Sequence, residues 1–258
     1  MQITSAQNSK IKLVNRLRSK RGRQSEGRFV IDYERDLRRA LQLGYAIDFL
    51  LHQPGSAAAQ RYPAVDAYAV PPALLKRASY RENPDDIVAV MISKPAKGIT
   101  ALSAANIRRA LVLVELAVPG NIGALLRSAD AAGMDAVALV DTALDLYNPN
   151  VIRSSAGACF RGNIYKLSSD EALAYFKAEA FQIVAADAAG PRGLYELDFA
   201  ARSAIALGSE DRGLKADWLN AADQLASIPM AGEVTDSLNV SVSGALFMYE
   251  MHRQRRRD

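Results

Sequence analysis

The chain has 258 residues, half of them apolar and 23% charged, with one cysteine, two histidines and a formal net charge of +4. That balance is ordinary for a soluble globular protein with room for one large domain or two smaller ones. A lone Cys159 excludes an internal disulfide, and with only His52 and His252 beside it, a His/Cys zinc site or a Ser-His-Asp triad has too few parts.

No secretory signal opens the chain, and no apolar run approaches the ~20 residues that cross a bilayer; 110–118 is interrupted by Glu115. The expectation is a cytoplasmic protein. Its basic charge is concentrated. Residues 1–40 carry eleven Lys/Arg against four acids, a net of +7 that leaves −3 for the rest. Such a patch suits a phosphate backbone, or is the solvated face of a helix.

Residues 9–20 read as a basic amphipathic helix with Ile11, Leu13, Val14 and Leu17 as its apolar stripe. Lys20, Arg21 and Arg23 then form a basic turn, the expected phosphate contact. A strand at 29–31 and a helix at 33–43, stopped by Gly44, follow. Strands at 47–51, 67–70 and 87–92 and a helix at 72–78 complete a small αβ domain over 1–95. Pro and Gly in 94–98 mark a linker, placed at 96–106.

From 107 to 258 strands alternate with helices. The continuous apolar run 110–116 suits a strand covered on both faces. Helical text at 121–132 and 151–160 alternates with strands at 136–140, 164–167, 182–186 and 204–207. A helix at 214–222 and a strand ending at Pro229 follow. This rhythm predicts an α/β domain with a parallel sheet. A polar loop, 231–236, leads to a last helix opening at Asp236 or Ser237, with Arg253–Arg257 as its solvated end. Within it Ser241 and Ser243 alternate with Val240 and Val242, a pattern better suited to a strand, and Asn239 competes with the backbone.

Ligands of an open parallel sheet gather at the carboxyl ends of its strands. Three stretches of unusual composition fall there: NIGALLRSA (121–129), LGSE (207–210) with Gly213, and IPMAG (228–232) followed by SLNVS (237–241). Singly, each has an ordinary explanation as a cap, a turn or a surface cation. Neither a G-x-G-x-x-G fingerprint nor a Walker lysine is present.

Together, and in this order, the three resemble the SpoU (TrmH-type) branch of the SPOUT RNA methyltransferases. Residues 1–95 resemble, more loosely, the ribosomal-protein-like substrate-binding domain that many members carry. The resemblance implies an α/β fold with a C-terminal trefoil knot, a homodimer through the knotted domain, and methyl transfer from S-adenosylmethionine to a ribose 2′-hydroxyl, in ribosomal RNA ahead of transfer RNA. By position it implies cofactor contacts from Leu207, Gly208, Ile228, Met230 and Leu238. Asn121, Arg127, Glu210, Ser237 and Asn239 would form the polar catalytic shell. No metal is implied, and the reaction needs no histidine, because the donor is already activated. Three departures stand out: Val118 where an aspartate is common, Asp211 where a glycine is common, and a 232–237 loop one residue longer. The alternatives are a catalytically inactive RNA-binding or ribosome-assembly protein of the same fold, and a methyltransferase acting on a base.

Overall fold

The computed structural model describes residues 1–81, 85–199 and 202–255. Contacts divide the chain into two units, one of Met1–Pro95 with Asp145–Arg161, the other of Ala96–Leu144 with Gly162–Asp258.

The first unit opens with α1 (Ser9–Arg16), which buries Ile11 and Val14 and is capped by Asn8. The expected basic turn is instead the first turn of a second helix, α2 (Lys20–Glu26). The Ser19 side chain accepts from the Gly22 amide and so starts that helix. Then come β1 (Arg28–Ile31), α3 (Glu34–Gln42), β2 (Ile47–His52), α4 (Ala58–Arg61), β3 (Ala67–Ala69), α5 (Pro72–Ala78) and β4 (Ile87–Ile92). The sheet order is β1-β4-β2-β3, with β4 antiparallel to β1 and β2. Leu17, Phe49, Leu75 and Val90 lie in the core beneath α1 and α5.

Residues 145–161, expected in the C-terminal domain, pack in this first unit. Tyr147 stacks on Phe29 with ring centroids 4.2 Å apart, and Phe160 lies 5.8 Å from the same ring. Arg39 donates to the Ala156 carbonyl. Cys159 is buried here, and burial pushes its thiol up to about 12, which leaves it protonated and unreactive at neutral pH.

In the second unit the expected linker carries α6 (Ile99–Ser103), whose Leu102 is fully buried. There follow β5 (Arg109–Val114), α7 (Pro119–Ala132), β6 (Ala136–Val140), α8 (Pro149–Ser155, in the segment that joins the first unit), β7 (Ile164–Leu167), α9 (Ser169–Ala178), β8 (Gln182–Ala186), β9 (Arg192–Gly193), β10 (Ser203–Leu207), α10 (Ala216–Ala221), β11 (Gln224–Ser227) and α11 (Val240–Arg255). The seven strands run β7-β6-β5-β10-β8-β11-β9, all neighbours parallel. Every residue of β6 and β10 is buried, as a sheet covered on both faces requires. All carboxyl ends therefore meet at one edge.

The last helix begins at Val240, later than expected, because Asn239 is outside it and acts as its cap. The Asn239 Oδ1 accepts from the Ser241 amide at 2.9 Å and the Ser241 hydroxyl at 2.6 Å. Hydrogen bonding of the free first-turn amides outweighs the strand-like alternation of serines and valines. At the other end Arg253 pairs with Glu250; Arg256 and Arg257 lie outside the described residues. Among the described residues no helix is long and apolar enough to cross a membrane.

Candidate functional site

The carboxyl ends of β8, β10 and β11 open on a cavity of about 370 Å³, within the range of small-ligand sites. It is lined by residues 186–188 after β8, 207–210 after β10, and 228, 230 and 236–240 after β11, with Phe247 of α11 behind them. Neighbouring strand ends are occupied differently. After β5, Glu115 takes an ion pair from Lys215, and that hydrogen bond raises the Lys215 pKa. After β6, Asp141 accepts from the Ser169 hydroxyl at 2.6 Å.

One wall depends on glycine. A Cβ at Gly208 would lie 2.0 Å from the Gly213 carbonyl carbon and 2.3 Å from the Leu214 nitrogen. The two backbones are held that close by a pair of hydrogen bonds, Ser209 amide to Gly213 carbonyl at 3.1 Å and the reverse at 2.9 Å. Gly213 closes the turn at φ 65°, a left-handed conformation that suits glycine. The opposite wall is apolar and open: Met230 is 39% and Leu238 36% exposed. Large apolar side chains left in solvent around a concavity mark a ligand site.

A polar chain crosses the mouth. The Asn239 side-chain Nδ2 donates to Asn121 Oδ1 at 3.3 Å, and Asn121 Nδ2 donates to the Glu210 carboxylate at 2.9 Å. An ionised carboxylate only accepts, so Glu210 sets the direction of every bond behind it. Three elements distant in sequence are thereby tied at one point: the first turn of α7, the loop after β10 and the cap of α11.

Of the expected residues, Leu207, Gly208, Ile228, Met230 and Leu238 line the cavity, as do Glu210, Ser237 and Asn239. Asn121 joins them through its two hydrogen bonds. Arg127 is not brought to the cavity. It is exposed, and six residues beyond Asn121 at ~100° per residue it faces another side of α7. Lys20 and Arg21 are exposed on α2. Arg23 corrects the expectation of a phosphate contact. Its side chain is 4% exposed, bonded to Asp145 at 2.6 Å and to the Leu17 carbonyl at 2.8 Å, so no phosphate reaches it.

Asp187 and Ala188, which also line the cavity, were not anticipated. The available signal was their place just past a parallel strand, ahead of Gly190, whose Cβ would lie 2.7 Å from Ala226. Among the described residues no cluster of His, Cys, Asp or Glu could hold a metal ion.

Residues 108–249 match the SpoU rRNA Methylase family, and residues 8–89 match an MRM3-like substrate binding domain. A 23S rRNA (guanosine(2553)-2′-O)-methyltransferase, RlmP of Bacillus subtilis, is 28% identical over 97% of this chain and 98% of its own. A crystal structure of an RNA 2′-O ribose methyltransferase superposes with a TM-score of 0.83 at 38% identity, covering 99% of this chain and 100% of that one. The SpoU methyltransferase AviRb of Streptomyces viridochromogenes, solved in complex with AdoMet, superposes with a TM-score of 0.85 at 26% identity, covering 97% and 99%.

Proposed function

The chain belongs to the SpoU rRNA methylase family, and from that premise we propose that it transfers a methyl group from S-adenosylmethionine to a ribose 2′-hydroxyl of ribosomal RNA. The observation that carries this is the cavity at the ends of β8, β10 and β11, where a glycine-walled loop and the Asn239–Asn121–Glu210 chain meet. The cavity suits the donor. Backbone left bare at Gly208 allows close approach, Leu207, Ile228, Met230 and Leu238 offer apolar surface, and Asp187 and Glu210 offer carboxylates to a cationic ligand. Bound there, S-adenosylmethionine supplies an electrophilic methyl carbon.

The remaining tasks fall to this chain's own residues. Glu210, Asn121 and Asn239, already bonded to one another, hold a hydroxyl in line without reorganising, and Ser237 adds a fourth polar group. Arg127, outside the cavity, is assigned to the RNA side. A guanidinium stays protonated, so its role is to stabilise charge developing on the ribose oxygen, whose proton passes to a phosphate oxygen of the RNA held at the same guanidinium. Arg127→Lys should lower single-turnover methyl transfer by ~10-fold or more while leaving cofactor affinity unchanged. Near-full turnover in that variant would refute this role for the guanidinium.

The same reading assigns residues 1–95 to RNA binding, with Lys20 and Arg21 as phosphate contacts and 96–106 as the join to a catalytic domain over 107–258. It also carries a cytoplasmic setting, a trefoil knot and a homodimer. Two observations support the last two. β10 comes late in the chain yet lies inside the sheet between β5 and β8. On α11, Val242 and Tyr249, seven residues apart on one face, are 48% and 49% exposed, as an apolar surface for a second copy would be. Val242→Arg should convert the dimer to a monomer in analytical ultracentrifugation; an unchanged mass would place the interface elsewhere.

Tritiated-methyl transfer to whole RNA from a strain lacking the gene, followed by nuclease mapping, tests the function. Label at a nuclease-resistant ribose of ribosomal RNA is expected. Label on a base, or no label with no heat of cofactor binding, would overturn it.

A further inference from the structure

The first unit holds another cavity, of about 510 Å³, that the chemistry above leaves unused. We propose that it receives one unstacked nucleotide of the RNA, base inward and phosphate at its arginine rim. The proposal rests on the RNA-methylating reading and adds to it a site of substrate selection.

The cavity has the three parts such a ligand requires. Its floor is apolar: Val30, Ile31 and Ile152 are 3%, 2% and 4% exposed. Its walls are stacked. The guanidinium carbons of Arg35 and Arg81 lie 4.8 Å and 4.5 Å from the Tyr33 ring centre, and that of Arg18 lies 5.1 Å from Tyr80. A guanidinium laid on a ring is fixed in plane; Arg35 is held by Asp36 and Arg81 by Asp85 at 3.5 Å, so the donors offered to a phosphate or base edge come chiefly from Arg18 and Arg153. Its charge is positive. Four arginines line it, Arg18, Arg35, Arg81 and Arg153, against two aspartates that are already engaged. Asp32 accepts from the Ser79 hydroxyl at 2.6 Å and the Tyr80 amide at 2.7 Å, and Asp36 pairs with Arg35 at 3.0 Å.

Among the described residues neither Arg18 nor Arg153 has an acidic partner. Arg18 donates only to the carbonyls of Arg77 and Ser79, and Arg153 to the Asn150 side chain. Surplus positive charge beside aromatic faces is what a polyanion with planar bases fits. Sequence-selective contacts to RNA fall on unstacked nucleotides, held by aromatic or arginine planes and read along their edges. Ile152 and Arg153 come from the 145–161 segment, so the cavity exists only because that segment packs here.

The test uses the full chain and a 23S ribosomal RNA transcript carrying 5-iodouridine at random positions. Irradiation should cross-link the RNA to Tyr33 or Tyr80. Arg153→Glu and Tyr33→Ala should each weaken RNA binding by about tenfold, raising KM for RNA with kcat and the heat of cofactor binding retained. Lys177→Glu, an exposed charge reversal in the second unit, should change affinity by no more than about twofold. Equal losses in Arg153→Glu and Lys177→Glu, or cross-links confined to other residues, would overturn the proposal. A wild-type chain that methylates ribosomal RNA while Arg153→Glu keeps its affinity sinks the cavity alone. A wild-type chain that neither binds nor methylates RNA sinks the proposed function with it.

Discussion

Gly208→Ala should abolish measurable cofactor binding, with calorimetric affinity for S-adenosylmethionine falling by at least ~100-fold. The reason is steric and local. The new methyl would sit 2.0 Å and 2.2 Å from the carbonyl carbon and oxygen of Gly213, and both are backbone that cannot rotate away. The Ser209–Gly213 bonds would part and residues 207–210 would swing out of the cavity wall. Gly213→Ala separates this cause from mere loss of flexibility. Gly213 has the positive φ, but a Cβ there meets nothing within 4 Å. That variant should cost ~1–2 kcal/mol of backbone strain and keep the cofactor. If both alanines behaved alike, or if Gly208→Ala bound normally, the close approach of these two backbones would have no part in the site.

Why that pair of glycines was legible in advance, and other features were not, follows from the range of the forces involved. Continuous apolar strands and Gly-rich strand ends are local text, and they placed the sheet and most of the cavity. The α11 start was misread because Asn239 looks like an intruder in a helix until it is seen to cap one. The Pro and Gly of 94–98 masked a helix over 99–103 whose stability comes from burying Leu102, a tertiary effect that outweighs composition. Arg127 shares a motif with Asn121 but faces elsewhere, since a short motif on a helix spans more than one side. Residues 145–161 carry no local sign of their destination. Their partners Arg23, Phe29 and Arg39 lie more than a hundred residues earlier. Arg23 shows the same limit: its basic neighbourhood suggests a phosphate contact, whereas an aspartate 122 residues away decides its burial.

That ion pair predicts the largest loss of stability. Arg23 and Asp145 are 4% and 9% exposed, 2.6 Å apart, and the arginine also donates to the carbonyls of Leu17 and Arg18 at 2.8 Å and 3.0 Å. Asp145→Ala leaves a guanidinium buried without its counter-charge, a loss of ~3–5 kcal/mol. Arg23→Met should cost a similar amount, since it strands the carboxylate and two carbonyls together. The double variant Arg23→Met, Asp145→Leu should be more stable than Asp145→Ala, because no buried charge remains. It should still fall short of wild type, because the Leu17 and Arg18 carbonyls have lost a donor. Two compact units make a single unfolding free energy unsafe, so the probes are separated. Trp218, the one tryptophan, is buried in the second unit and reports that unit alone, whereas six of the ten tyrosines, Tyr33, Tyr45, Tyr62, Tyr68, Tyr80 and Tyr147, belong to the first. Near-ultraviolet dichroism of the tyrosines during urea unfolding should record the fall in Asp145→Ala as an early loss of signal at urea concentrations where Trp218 fluorescence is unchanged. A drop below ~1 kcal/mol, or a double variant weaker than both singles, would show that aromatic stacking of Phe29, Tyr147 and Phe160 fastens the segment and the ion pair is incidental.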